Sequence, residues 1–125
     1  MGEETKSSEL KDGRDKPLKP VARLENGHTD VITDMVPMVK LQMLATCSLD
    51  KTIILWHTVE KKKLRTYREH VKGVVALAFN ESLILLVSAG YDHQICVWNP
   101  YIGNHYSFKF FIFKTYKLMF NKFFR

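Results

Sequence analysis

Cysteine is scarce in this sequence of 125 residues, which contains only two. Cys47 and Cys96 form no CxxC pair, have no ligand spacing to a histidine, and lie in apolar runs. This pattern is typical of buried, reduced thiols in a cytosolic protein. We therefore predict a cytoplasmic location and no metal site.

Several functional signatures are also missing. No run of about 18 apolar residues suggests a membrane-spanning helix, and the acidic, polar N-terminus does not resemble a signal peptide. The sequence has no Gly-rich phosphate loop, nucleophile elbow or zinc-protease helix motif. We predict that the chain is not an enzyme and uses no cofactor.

Acidic residues are absent from one segment, and this explains the basic net charge of +6. Residues 105–125 carry five Lys or Arg and no Asp or Glu, so residues 1–104 sum to 14 − 13 = +1. The basic character therefore belongs to the C-terminal segment, and it does not indicate a nucleic-acid-binding domain.

The chain divides into three unlike segments. Residues 1–19 are charged and poor in bulky hydrophobic residues, which predicts a disordered N-terminal segment. Residues 20–104 mix apolar and polar residues in the manner of a folded domain. Residues 105–125 contain seven of the eight phenylalanines together with the five basic residues, and they form an aromatic, basic tail.

A repeat of 42 residues runs through the middle segment. Shifting the chain by that distance superposes His28 on His70, Asp50 on Asp92 and Trp56 on Trp98 without a gap. In each copy the histidine precedes the aspartate by 22 residues, and the aspartate precedes the tryptophan by six. Two copies in one register indicate a duplicated supersecondary unit, with repeats at about 20–57 and 64–99.

Each copy contains short runs rich in β-branched and apolar residues, separated by polar turns. These runs predict strands at 31–36, 43–47, 53–56 and 64–67 in the first copy, and at 74–79, 85–89 and 95–98 in the second. Residues 21–25 look like the outer strand of a preceding unit. After Asn104 the sequence becomes rich in Phe and Lys, and the pattern expected for the fourth strand of the second copy is not found.

The motif residues of the first copy, among them Gly27-His28, Asp50-Lys51-Thr52 and the run 53–56 ending at Trp56, resemble a WD repeat, and the second copy resembles it nearly as well. The resemblance covers residues 20–104. It implies an all-β fold: a partial β-propeller of about two four-stranded antiparallel blades, with a disordered N-terminus and an irregular C-terminal tail. A closed ring needs about four to eight blades, so further WD repeats are expected to complete it.

The resemblance also implies a hydrogen-bonded network in each blade. A Trp indole donates, a hydroxyl donates and accepts, an imidazole bridges, and a carboxylate accepts, so every polar group is satisfied. We expect this network to stabilise the fold rather than to perform chemistry. Its predicted members are His28, Thr46, Asp50, Trp56, His70, Ser88, Asp92 and Trp98.

The function implied by the resemblance is a protein-interaction scaffold that binds proteins or peptides through loops at one rim of the propeller. The candidate binding residues in these loops are Thr29, Asp30, Leu49, Lys51, Val71, Lys72, Tyr91 and His93.

The tail supports an alternative hypothesis. Basic residues interspersed with aromatic ones bind anionic membranes or nucleic acid, so residues 105–125 would make the chain a membrane-surface or nucleic-acid binder. The five charges do not gather on one helical face, however, and A/T-rich codons specify the abundant residue types. We favour the interpretation that residues from about His105 onward are not genuine coding sequence and have no evolved role, and we expect no nucleic-acid partner.

Overall fold

The computed structural model describes residues 17–102 and the backbone of a two-residue strand, Phe110–Phe111. These described residues form eight β-strands and one short 3-10 helix, Val39–Leu41. The predicted disorder of residues 1–19 and the predicted irregular tail fall almost entirely outside the described residues. The strands are β1 (Ile32–Met38), β2 (Met43–Ser48), β3 (Ile53–His57), β4 (Lys62–Tyr67), β5 (Val74–Asn80), β6 (Leu85–Gly90), β7 (Gln94–Trp98) and β8 (Phe110–Phe111).

The strands form two antiparallel meanders, β1-β2-β3-β4 and β5-β6-β7-β8, which we name blade 1 and blade 2. Both blades carry a register shift at the same place in the first strand, between Ile32 and Asp34 and between Val74 and Ala76. The two copies of the 42-residue repeat therefore share this irregularity of the backbone pairing. The predicted all-β fold with two antiparallel blades is confirmed.

Two outer strands differ from the expectation. Residues 21–25 form no strand, and the side chain of Val21 is 90% exposed. A strand needs a neighbouring edge for its backbone hydrogen bonds, and the pairing recorded for the described residues gives this segment no place in either blade. In blade 2 a short fourth strand does exist, because Phe110 and Phe111 pair with Ile95 and Gln94.

The main core lies between the blades. Alternation along β2 and β3 directs Ala45, Cys47, Ile53 and Leu55 toward blade 2, where Leu86 and other apolar residues of β5, β6 and β7 meet them. Leu55 and Leu86 are completely buried, and burial of one such side chain contributes about 1.5–3 kcal/mol. The hydrophobic contact between the blades is therefore a principal source of stability.

Polar and aromatic contacts also join the two blades. The hydroxyl of Thr33 donates to the carbonyl oxygen of Val74 at 2.6 Å, and the amide of Leu77 donates to Asp34 at 3.0 Å. At the outer side the rings of Tyr67 and Trp98 are stacked, with centroids 4.3 Å apart. These bonds fix the position of β5 against β1 and so align the loops of the two blades at each rim.

Candidate functional site

In blade 1 a continuous hydrogen-bonded network reaches from the interior to the surface loops. The indole Nε1 of Trp56 donates to Thr46 Oγ1 at 2.9 Å, and Thr46 Oγ1 lies 2.8 Å from His28 Nε2. The other ring nitrogen, His28 Nδ1, lies 3.0 Å from Asp50 Oδ2. Because the carboxylate only accepts, these partners are consistent with His28 Nδ1 donating to Asp50 and Thr46 donating to His28 Nε2.

Blade 2 repeats this network with a serine in place of the threonine. Trp98 Nε1 donates to Ser88 Oγ at 3.0 Å, and Ser88 Oγ lies 2.8 Å from His70 Nε2. His70 Nδ1 contacts both carboxylate oxygens of Asp92, at 2.9 and 3.1 Å. The structure thus brings all eight predicted network residues together, four in each blade.

Each aspartate also joins two loops. Asp50 accepts the amide of Thr29, in the loop before β1, and the amide of Thr52, in the turn after β2. Asp92 accepts the corresponding amides of Val71 and Gln94. One carboxylate therefore holds together two loops that are separated by about 20 residues in the chain.

The environment of Asp50 favours its charged form. Burial raises the pKa of this carboxyl, but hydrogen bonds from Thr52, from the Thr29 amide and from His28 together outweigh burial and lower its pKa below the ordinary value. The charge strengthens each of these hydrogen bonds.

Blade 1 contains further participants that the sequence analysis did not assign to the network. Thr52 Oγ1 donates to Asp50 Oδ1 at 2.6 Å and also lies 3.0 Å from His28 Nδ1, while Ser48 Oγ accepts the amide of Asp50. These residues are absent from the second copy, where Gln94 and Gly90 stand at the equivalent positions. A comparison restricted to residues that match in both copies therefore misses them.

Gly27 is the other participant whose structural role becomes visible only in three dimensions. A Cβ atom at this position would lie 2.8 Å from Cζ2 of Trp56, closer than such atoms approach in proteins. The glycine lets the loop before β1 lie directly on the indole ring. This contact covers the face of blade 1 that points away from blade 2.

The candidate binding residues lie at one end of both blades, in the loops that the two aspartates hold, and we call this surface the upper rim. Leu49 is only half-buried, and a Cβ atom on Gly73 would lie 2.9 Å from Leu49 Cδ2, so Leu49 packs against the neighbouring blade. Lys51 and His93 hold equivalent left-handed turn positions with φ of 74° and 60°. The exposed members are Thr29, Asp30, Lys51, Val71, Lys72, Tyr91 and His93.

Ser88, His70 and Asp92 have the spacing of a hydrolytic triad, but their surroundings do not suit that chemistry. Ser88 is completely buried, and its hydroxyl oxygen already accepts the Trp98 indole. A substrate carbonyl cannot approach this hydroxyl without unfolding the blade. The stabilising role expected for this network stays a prediction, and the satisfied donors and acceptors are consistent with it.

The remaining reactive groups are also shielded. Both cysteines are buried, and burial raises the pKa of Cys47 to about 11, so this thiol stays protonated near neutral pH. Within residues 17–102 no group of three or more His, Cys, Asp or Glu residues is arranged to hold a metal ion. The described residues also include no helix long and apolar enough to cross a membrane.

Comparison with known proteins agrees with this geometry. The profile of the family described as "WD domain, G-beta repeat" (WD40) matches residues 18–57 and 61–99. The chain is 59% identical over 80 residues to Cilia- and flagella-associated protein 337 B of Tetrahymena thermophila. The match covers 64% of this chain but only 6% of the length of that relative. WD40 repeats generally mediate protein–protein interaction and are typically non-catalytic. The chain belongs to the WD-repeat family, of which it carries two consecutive repeats.

Proposed function

We propose that this chain is part of a protein-interaction scaffold and binds other proteins or peptides through its upper rim. The observation that carries the proposal is that the backbones of these loops are held in place while most of their side chains are exposed. Asp50 and Asp92 hold the loop backbones by accepting the amides of Thr29 and Val71, while seven of the eight candidate side chains remain exposed. Loops that are fixed before binding lose little conformational entropy when a partner docks.

The exposed residues suit a binding role. Tyr91 is 55% exposed and Val71 is 63% exposed, and Lys72 stands beside Val71 in the same loop. Tyrosine is one of the residue types enriched among the anchors of protein interfaces, which makes Tyr91 the leading candidate. The buried serine of blade 2 supports the companion proposal that the chain has no catalytic activity of its own.

We further propose that additional WD repeats complete a ring around these two blades. Repeat units bury their faces against their neighbours, and two blades fall short of the smallest closed propeller. The relative is many times longer than the matched segment, which is consistent with blades supplied by a longer chain.

The name of the relative also suggests where the scaffold works. We propose that this chain acts in cilia or flagella, whereas the sequence analysis predicted a cytoplasmic location. A fluorescently tagged chain expressed in a ciliated cell should concentrate along the cilium. A uniform signal in the cell body, with cilia dark, would contradict this location.

Binding at the upper rim is tested by a double substitution, Tyr91→Ala with Lys72→Glu. Partners cross-linked to the wild-type chain are identified, and the affinity of the tightest one is measured for each variant. We expect at least about a tenfold loss of affinity, because a few central residues supply most of the binding energy. If affinity and thermal stability were both unchanged, the upper rim would not be the binding surface.

The alternative role of residues 105–125 as a membrane or nucleic-acid binder remains a prediction, because these residues lie outside the described part of the chain apart from the backbone of Phe110–Phe111. Deleting them separates the two hypotheses. Scaffold binding should survive the deletion, whereas salt-sensitive binding through the tail should disappear.

A further inference from the structure

The end of the blades opposite the upper rim also exposes a set of large apolar side chains. We call this surface the lower rim; it comprises residues 39–42, 58–63, 81–84 and 99–102. Five large apolar side chains here are more than half exposed, although each lies in a short turn where a polar residue could stand instead. They are Val39 (79%), Val59 (63%), Leu83 (64%), Tyr101 (67%) and Ile102 (57%).

Direct contacts join these four turns into one surface. The amide of Thr58 donates to the carbonyl oxygen of Gln42 at 2.9 Å, which links the first two turns within blade 1. Lys40 pairs with Glu81 across the two blades at 3.6 Å. Arg65, in β4, donates to the carbonyl oxygen of Pro100 at 2.8 Å, which holds the last turn beside blade 1. The exposed apolar residues therefore belong to one connected rim.

The charges of the lower rim are unbalanced. Its two acids are already paired, Glu81 with Lys40 and Glu60 with Lys62. Lys61 and Lys63 are exposed, and no carboxylate of the described residues lies within ion-pair distance of either. The lower rim thus combines exposed apolar side chains with two uncompensated positive charges.

We propose that the lower rim binds an acidic segment of a partner protein that carries bulky apolar side chains. The partner's carboxylates would meet Lys61 and Lys63, and its apolar side chains would cover Val59, Tyr101 and Ile102. Such complementarity sets both specificity and association rate. This interaction is separate from binding at the upper rim, and it would let one scaffold hold two partners on opposite ends of the same blades.

Two other occupants fit the charges less well. Residues 105–125 of this chain carry five basic residues and no acid, so Lys61 and Lys63 would repel them. An anionic membrane would attract the lysines, but its flat headgroup layer would also press against Glu60 and Glu81, which are each 52% exposed. A peptide can place its carboxylates away from these two acids.

The test uses the full chain and three probes: a short fluorescein-labelled peptide alternating glutamate with leucine and phenylalanine, the same peptide with lysine for glutamate, and phosphatidylserine vesicles. We expect saturable binding of the acidic peptide and at least about a tenfold preference over the basic one. The charge reversal Lys61→Glu with Lys63→Glu should remove that preference. Tyr101→Ser should weaken binding of the acidic peptide without changing its salt dependence.

The matched control is Lys51→Glu with Lys72→Glu, which reverses two exposed charges on the upper rim. It should leave binding of the acidic peptide unchanged, so failure of this inference and failure of the proposed function give different results. Thermal unfolding of every variant checks that the blades remain folded. Equal binding of both peptides, preferential binding to the vesicles, absence of binding, or equal loss in the upper-rim control would each overturn the inference.

Discussion

The two blades share one plan but satisfy it with different side chains. In blade 1 the aspartate is surrounded by hydroxyl groups, since Thr52 donates to it and Ser48 accepts its amide. In blade 2 both hydroxyls are missing, and His70 contacts both carboxylate oxygens instead. The difference shows that His, Ser or Thr, Asp and Trp are enough to form the network, and it predicts that the surrounding residues decide how much each member contributes to stability.

Removing the aspartate should expose this difference most strongly. We expect Asp92→Ala to lower the free energy of unfolding by about 3 kcal/mol and Asp50→Ala by about 2 kcal/mol, given about 1–3 kcal/mol for each buried polar group left unsatisfied. Without Asp92, Nδ1 of the buried His70 loses the partners described for it, whereas His28 retains Thr52. Urea unfolding followed by tryptophan fluorescence measures both values.

The chain provides suitable probes and a control for this experiment. Its two tryptophans, Trp56 and Trp98, lie one in each network, so fluorescence reports both blades. Asp30→Ala removes an exposed rim carboxylate and should change stability by less than about 0.5 kcal/mol. Equal losses for Asp50→Ala and Asp92→Ala would mean that the hydroxyl groups of blade 1 do not support His28.

The next comparison concerns the residue that ends the second strand of each blade. A Cβ atom on Gly90 would lie 2.7 Å from His70 Nδ1 and 2.8 Å from Asp92 Oδ1. Gly90→Ala should therefore displace the network and lower the free energy of unfolding by about 2 kcal/mol, in the range of overpacking effects. Ser48→Ala should cost about 1 kcal/mol, since it removes one hydrogen bond. Chemical denaturation of the two variants checks the order, and a more stable Gly90→Ala variant would contradict it.

Transplanting the threonine of blade 1 into blade 2 should have a stabilising effect. The side-chain oxygen Oε1 of Gln94 is buried and has no hydrogen-bond partner among the residues that the structure describes. Gln94→Thr removes this unsatisfied acceptor and places a hydroxyl beside Asp92, so we expect a gain of about 1 kcal/mol. The reverse change, Thr52→Gln, is the matched control and should destabilise blade 1. A loss of stability in Gln94→Thr would show that its longer side chain is needed for packing.

The smallest effect is expected at the first turn of each blade. Ile84 has a φ of 52°, and Gln42 holds the equivalent position with a φ of 53°. A β-branched side chain is strained in this left-handed region, so Ile84→Asn should raise the free energy of unfolding by about 0.5–1 kcal/mol. Gln42→Asn should change little. Melting temperatures of the two variants are the measurement, and a lower value for Ile84→Asn would show that apolar packing of Ile84 outweighs its strain.

Sequence reasoning worked best for features that both copies contain. The predicted strands match the observed ones to within about two residues, because alternating β-branched residues and polar turns act locally. It failed for residues 21–25, since a strand forms only where a neighbouring edge accepts its hydrogen bonds. It also did not assign Thr52 and Ser48 to the network, because they differ between the copies and so give no repeat signal.

The sequence by itself determined the repeat, the strand order within each blade and the spacing of the network residues, because these follow from the order of side chains along 42 residues. Only the tertiary structure decided how the blades meet: that Leu49 packs against Gly73, that Tyr67 stacks on Trp98, and which apolar side chains stay exposed at each rim. Contacts between blades depend on the relative rotation and distance of two sheets. Residues distant in the chain set these quantities jointly, so no local pattern encodes them.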